Sequence, residues 1–247
     1  MKQNRDHIIY GTRAIIEAIK SGREIDKVFL KKGLRNALIN ELIPLLKEFQ
    51  IPLQTVPVEK LDRISKKNHQ GTIAFASLVT YQRIEDIIPQ LYEDGKNPLI
   101  VVLDRVTDVG NFGAIARSAE CAGAHAILIP DRGAAQINAD AMKTSAGALN
   151  LIPVCRSENL KITLEYLKES GLQIVAATEK ADQEYYSADF TVPTVIIMGS
   201  EDTGISNEYL KRSDALLKIP ILGEIESLNV SVSTALFLFE AVRQRKV

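Results

Sequence analysis

Cysteine and histidine are scarce in this chain, and that removes several kinds of chemistry at once. Its 247 residues include two cysteines and three histidines. Cys121 and Cys155 form neither a metal-binding spacing nor a disulfide framework. Both stand among apolar neighbours and are expected to be buried, reduced thiols, as in a cytoplasmic protein. His7, His69 and His125 are scattered, so no metal site is expected. No stretch reaches the roughly 18 apolar residues of a membrane span. The opening Met1-Lys-Gln-Asn-Arg-Asp6 leads into no apolar run, so no signal peptide is expected. Repeats and low-complexity tracts are missing too.

Nucleotide-binding and hydrolytic signatures are equally absent. Asp108-Val-Gly-Asn-Phe-Gly113 follows an apolar run and opens a helical pattern, but it lacks the first of the three glycines of a dinucleotide-binding turn. Gly199-Ser-Glu-Asp-Thr-Gly204-Ile-Ser206 has the outline of a phosphate loop. Ile205 stands where the lysine would be, however, and Glu201 and Asp202 would repel phosphate. No Gly-x-Ser-x-Gly elbow and no Cys/His pair offers a nucleophile.

What the chain does have begins with an uneven charge. The formal net charge is −1. Of the 30 basic and 31 acidic residues, 14 and 8 fall in residues 1–80, a net +6, so the remainder carries 16 and 23, a net −7. Such a split points the N-terminal part toward a polyanion. Arg13, Lys31, Lys32, Lys66 and Lys67 are the candidate contacts to it, and a solvated lysine-rich surface is the alternative.

Strand-like and helix-like patterns alternate along the chain. Residues 1–77 read as a small α/β unit. A helix follows Thr12, which could cap it, with Ile15, Ile16 and Ile19 on its apolar face. A strand over 28–30 follows, then a helix over 36–49 with Pro44 in its first turn or at a kink. A strand over 52–56, a helix over 58–65 and a closing strand over 72–76 complete the unit. Residues 78–83 read as a linker.

Residues 84–247 begin with a helix over 84–93 and the continuous apolar strand 99–103, the mark of a parallel strand covered on both faces. Helices are predicted over 113–122, 140–148, 160–170, near 207–212 and over 230–245. Strands are predicted over 126–129, 151–154, 174–177, 195–198 and 216–220. This pattern predicts a doubly wound α/β domain with binding loops at the strand C-termini. The last helix is apolar nearly all round through residues 235–239, Ala241 and Val242. It should be buried in the core or against a second subunit.

Three stretches stand out at the ends of these strands. They are Asn111-Phe-Gly-Ala-Ile-Ala-Arg117, Met198-Gly-Ser-Glu-Asp-Thr-Gly204, and Ile219-Pro-Ile-Leu-Gly-Glu-Ile-Glu-Ser-Leu-Asn229 with the Val230-Ser-Val-Ser-Thr-Ala-Leu236 that follows. They are rich in small and uncharged hydrogen-bonding residues, with Arg117 as the strong cation and Glu201 as a strong anion. Glycines at 199, 204 and 223 allow close backbone approach or positive φ. An adenosine-type cofactor without a polyphosphate, held by backbone groups and packed between apolar side chains, fits such loops.

In order and form these stretches resemble the motifs of the SpoU (TrmH) family of RNA ribose 2′-O-methyltransferases. Residues 9–18, Ile-Tyr-Gly-Thr-Arg-Ala-Ile-Ile-Glu-Ala, together with His69-Gln70-Gly71, resemble the signatures of the small ribosomal-protein-like substrate-binding domain found in many members. The run from Ser227 to Arg245 is most similar to the branch that methylates a guanosine of 23S ribosomal RNA. The resemblance implies a SPOUT-type α/β domain with a C-terminal trefoil knot, S-adenosylmethionine as cofactor, RNA as substrate and a homodimer. A transfer-RNA ribose as target, or a non-catalytic role in ribosome assembly, are the alternatives.

Carried over residue by residue, the resemblance makes Asn111, Arg117, Glu201, Ser227 and Asn229 the catalytic set. It makes Gly199, Ile219, Leu228 and Asn229 cofactor contacts. Arg117 would bind a phosphate and steady the developing alkoxide, with Ser227 and Asn229 orienting it or the cofactor's tail, and Glu201 pairing with it or organising the loop. Each residue also has an ordinary reading: Arg117 as a surface charge, Asn111, Ser227 and Asn229 as helix caps. One departure is visible. The family's Asp-Pro-x-Asn is here Asp108-Val109-Gly110-Asn111, which should loosen the turn.

Overall fold

The computed structural model describes residues 8–246, so His7, the opening hexapeptide and Val247 lie outside it. The chain divides into two compact units at Thr80/Tyr81.

The first unit contains β1 (Ile8–Tyr10), α1 (Thr12–Lys20), β2 (Ile25–Lys31), α2 (Ala37–Glu48), β3 (Leu53–Val56), α3 (Val58–Ile64) and β4 (Thr72–Ala76). Its sheet runs β1-β4-β2-β3, with β4 antiparallel to both β1 and β2, and β3 parallel to β2. Alternation along the strands makes two apolar faces. Val28, Leu30 and Ala74 meet Ile15, Ile16 and Ile19 of α1 and Ile39, Leu42 and Leu46 of α2. On the other face Phe29, Val56 and Ile73 meet Leu61 of α3.

Several local expectations change here. Gly11, at φ 85, is the residue before α1, and Thr12 is already helical. The Thr12 hydroxyl is buried and bonds the Thr72 hydroxyl at 3.1 Å, so it ties the helix to β4 instead of capping it. Asn36 caps α2 by accepting from the Ile39 N–H at 3.0 Å. Pro44 sits inside α2 on its exposed side, where the carbonyl it leaves unbonded can meet water.

The second unit contains β5 (Tyr81–Gln82), α4 (Ile84–Glu93), β6 (Leu99–Asp104), α5 (Val109–Cys121), β7 (Ala126–Pro130), α6 (Ala139–Thr144), β8 (Val154–Ser157), α7 (Leu160–Glu169), β9 (Gln173–Ala177), β10 (Gln183–Glu184), β11 (Thr194–Gly199), α8 (Asn207–Leu210), β12 (Ala215–Lys218) and α9 (Val230–Arg245). The strands form one sheet in the order β10-β12-β9-β11-β6-β7-β8-β5, and every neighbouring pair is parallel. Ile84, Ile88 and Leu91 of α4 and Leu160, Leu164 and Leu167 of α7 pack on one face, against Ile100, Val102, Leu128, Ile174 and Val195. On the other side α5 packs against α6 and α9.

The linker over 78–83 is thus shorter than expected, because Tyr81–Gln82 pair with Val154–Cys155 and join the large sheet. The strand expected over 151–154 lies at Val154–Ser157. Leu151 is 71% exposed and belongs to a turn after a short 3-10 segment, Ala148–Asn150. The helix before it ends at Thr144 rather than 148, because Ala146 and Gly147 take positive φ. Cys155 is buried, but Cys121 at the end of α5 is exposed, which corrects its expected burial. α9 is not apolar on every side in use. Phe237, Leu238 and Ala241 are buried, while Val232 and Phe239 are about half exposed. Arg245 anchors its end by donating to the carbonyls of Asn97, Pro98, Phe190 and Val192 at 2.7–3.1 Å. Burial lowers its pKa from the ordinary guanidinium value. Among the described residues no helix is long and apolar enough to cross a membrane, and no cluster of His, Cys, Asp or Glu could hold a metal ion.

Candidate active site

Strand order reverses between β6 and β11: β6, β7 and β8 step one way, while β9 and β12 lie beyond β11. Crevices for ligands open at such points, at the strand C-termini. A cavity of about 660 Å³ lies to the β11 side of this point, within the range of roughly 300–1,000 Å³ for small-molecule sites. Its walls are the ends of β9, β11 and β12 and the segment leading into α9. Met198, Leu217, Ile219, Ile221, Leu228 and Phe237 supply apolar surface. Glu179, Glu201, Asp202 and Glu226 face a single lysine, Lys180, along the wall. Four carboxylates against one ammonium favour a cationic or neutral ligand and disfavour a polyphosphate.

The loop after β11 is folded tightly on itself. The Gly204 N–H bonds the Ser200 carbonyl at 2.9 Å, and Gly204 has φ 62. A Cβ on Gly199 would lie 2.2 Å from the Gly204 carbonyl carbon and 2.4 Å from the Ile205 nitrogen. Glycine at 199 is therefore required by the loop's own closure. Gly223 meets nothing within 4 Å and has no positive φ, so the fold does not require glycine there.

This loop is tied to both neighbours. Asp104, buried at the end of β6, accepts from the Ser206 N–H and hydroxyl, each at 2.7 Å. Arg105, at φ 59, forks onto Asp104 at 3.1 and 3.2 Å and also donates to the Gly204 carbonyl at 3.2 Å. On the other side three predicted residues meet. Asn229 Nδ2 donates to Glu201 Oε1 at 2.7 Å and to Asn111 Oδ1 at 2.9 Å, and Asn111 Nδ2 donates to the same Glu201 oxygen at 3.1 Å. The Val230 N–H at the start of α9 adds a fourth bond at 3.3 Å, where the helix N-terminus favours a carboxylate. Asn229 also caps α9, its Oδ1 accepting from the Ser231 N–H at 2.9 Å.

Gly199, Glu201, Ile219, Ser227, Leu228 and Asn229 all line the cavity, and Asn111 joins it through the triangle. Arg117 does not. Asn111 and Arg117 are six residues apart on α5, which turns their side chains roughly 120° from each other. Arg117 follows Gly113 by one turn, on the side where a Gly113 Cβ would meet Ala141 O and Thr144 Cβ of α6, each at 2.8 Å. It is exposed and, among the described residues, makes no hydrogen bond or ion pair. Glu201 therefore pairs with the two asparagines and not with Arg117. Ser227 likewise has no side-chain hydrogen bond among the described residues. Asn111 does not cap α5. Asp108 does, accepting from the Asn111 N–H at 2.7 Å, and α5 begins at Val109, four residues earlier than expected. The departure at Val109-Gly110 thus falls in a capped first turn. Asp104, Arg105 and Ser206 were not singled out from sequence; an aspartate closing the apolar run Leu99-Ile-Val-Val-Leu-Asp104 was the available signal.

The model of the SpoU rRNA Methylase family matches residues 98–239, and that of RNA 2'-O ribose methyltransferase substrate binding matches residues 8–82. The chain belongs to the SpoU/TrmH family of RNA methyltransferases. It is similar to the Bacillus subtilis protein YacO, named for the TrmH family of tRNA/rRNA methyltransferases, at 34% identity over 245 residues, which cover 99% of this chain and 98% of YacO. It is also similar to the AdoMet-bound rRNA methyltransferase of Sinorhizobium meliloti, at a TM-score of 0.62 and 26% identity, over 98% of this chain and 90% of that one. A crystal structure of an RNA 2'-O ribose methyltransferase is similar at a TM-score of 0.59 and 29% identity, over 100% of this chain and 93% of the other. In SpoU/TrmH terms, the stretches around Asn111, Glu201 and Asn229 converge on one hydrogen-bonded cluster at the cavity's edge.

Proposed function

We propose that the protein transfers a methyl group from S-adenosylmethionine to a ribose 2′-hydroxyl of RNA, with a guanosine of 23S ribosomal RNA as the target. The acid-lined, partly apolar cavity at the C-terminal ends of β9, β11 and β12 carries this reading. Its residues fit S-adenosylmethionine. Met198, Ile219 and Leu228 can pack an adenine, and the four carboxylates suit the charge of a sulfonium and an ammonium. When bound, the cofactor supplies an electrophilic methyl group.

The chain's own residues then hold and orient. The Asn111–Glu201–Asn229 triangle fixes the wall between α5 and α9. Ser227 and Leu228 line the cavity beside it. Arg117, without an internal partner, offers a planar fork to the phosphate next to the target ribose. The 2′-oxygen gains the methyl as its proton leaves to that phosphate or to water. Arg13, Lys31, Lys32, Lys66 and Lys67, all exposed, add phosphate contacts from the first unit. Arg13 already sits 3.9 Å from Glu17 and Glu41.

A homodimer in the cytoplasm completes the proposal, with Val232 and Phe239 of α9 supplying apolar surface to the partner. So does a knot. The segment 219–229 returns beside the 199–204 loop before α9 packs on α5, the placement a threaded C-terminal end requires. A transfer-RNA ribose is the second reading, favoured by the tRNA/rRNA naming of YacO.

Calorimetry with S-adenosylmethionine, NAD and ATP tests the cofactor, and saturable binding of NAD or ATP alone would overturn it. Mapping 2′-O-methyl sites in ribosomal and transfer RNA, from cells with and without the gene, decides the target. Arg117→Ala should lower turnover by about a hundredfold or more, in the range of a lost electrostatic stabiliser, with cofactor affinity nearly unchanged. Arg117→Lys should not rescue it, because a point charge lacks the fork. A lysine variant within a few-fold of wild type would remove this role.

A further inference from the structure

α3 is only seven residues long and covers part of one face of the first unit's sheet. The strand register shows what is left. Ile8, Phe75 and Lys27 stand in one cross-strand row, and Tyr10, Ile73 and Phe29 in the next. Phe29 and Ile73 are buried against Leu61, but Ile8, Tyr10 and Phe75 remain partly exposed at the β1 edge. Lysines crowd these rings. Lys27 lies 5.6 and 5.7 Å from the Phe29 and Phe75 centroids, Lys60 lies 4.8 Å from Phe29, and Lys67 lies 5.2 Å from Tyr10. Partly exposed rings framed by ammonium groups have the chemistry of a single-strand platform. Bases stack on the π-faces while the cations take the flanking phosphates. A paired helix offers no free base faces, and a neutral apolar partner would leave Lys60 and Lys67 without counter-charges.

We propose that this face, centred on Tyr10 and Phe75 with Lys27, Lys60 and Lys67 around it, binds unpaired nucleotides of the RNA substrate by stacking. The inference rests on the RNA reading above and deepens it. The first unit then selects an unpaired segment, and does more than attract phosphate.

The test uses the full-length protein, a 12-nucleotide single-stranded RNA and a duplex of the same length. Tyr10→Leu and Phe75→Leu keep apolar bulk and remove a ring. Each should weaken single-strand binding by about five- to tenfold, leaving duplex binding and the salt slope unchanged. Lys60→Ala should instead lower the salt slope by about one. Ring variants that bind the single strand like wild type, or that lose single strand and duplex alike, overturn the proposal. In case a ring variant unfolds, 5-iodouridine crosslinking to the wild-type protein gives an independent answer. Crosslinks at Tyr10 or Phe75 support the platform, and crosslinks confined elsewhere, as for a face that binds protein, overturn it. Methyl transfer separates the two levels. If the ring variants methylate RNA with unchanged KM, this inference alone fails. If the wild type binds neither S-adenosylmethionine nor RNA, the underlying reading fails and this one with it.

Discussion

Asn229 does two jobs that one substitution can separate. Its Oδ1 caps α9 and its Nδ2 holds Glu201 and Asn111. Aspartate is as good a cap as asparagine, but it would place a second carboxylate against Glu201 and remove both donated bonds. Asn229→Asp should therefore keep the cap, give up stability to carboxylate repulsion, and lose most methyl transfer. Asn229→Ala should lose methyl transfer too, together with about 1 kcal/mol of stability from the cap. Methyl transfer near the wild-type level in either variant would show that the triangle does not matter. The cysteines differ in a similar way. Burial first, then the charges of Glu85 and Asp86, push the Cys155 thiol up to about 12 from the ordinary 9. It should stay protonated and unreactive in the native protein, while exposed Cys121 reacts with a thiol reagent at pH 8. A raised thiol pKa stabilises the fold below the unfolded value, so that contribution should fall as pH rises from about 9 toward 12. Two fast-reacting thiols in the native state would contradict this assignment.

Among the elements, the loop after β11 is the most constrained. Its closure leaves no room for a side chain at 199, where the obstructing atoms are backbone. Gly199→Ala should open the loop, cost about 1–3 kcal/mol, and abolish cofactor binding measured by calorimetry. An alanine variant that binds cofactor normally would show that the loop can shift freely. Gly113 is a second close approach, between α5 and α6. Most element positions were legible in the sequence. The 84–93 and 230–245 helices appear with the same bounds, because the first has a strong apolar period and the second has a capping Asn229 and basic residues in its last turn, signals that act locally. The elements that moved are those set by distant partners. β5 exists only because Tyr81–Gln82 find β8, and β8 itself starts where Ile127 and Val154 come into register. β1, unread in the sequence, is three residues held by β4.

For the whole molecule, the charge split and the two units lead to a fragment experiment. A chain starting at Tyr81, so that β5 is kept, should retain cofactor affinity. It should lose most RNA affinity and most of the salt slope, about one counterion for each phosphate contact removed. At ~0.15 M salt, where exposed charges are screened beyond about 8 Å, equal RNA binding by fragment and full chain would place capture in the second unit.

The sequence by itself determined the alternation of strand and helix, the parallel, two-sided sheet, and three stretches, two of which line the cavity. These follow from periodicity, apolar runs and short-range chemistry, which neighbouring residues carry between them. The tertiary structure alone decided which side chains meet. It joined Asn111, Glu201 and Asn229, which are 90 and 28 residues apart in sequence. It recruited Asp104 and Arg105 to brace the loop and turned Arg117 away from both. Those outcomes depend on strand order and helix rotation, which bring distant backbone together and which no local pattern encodes.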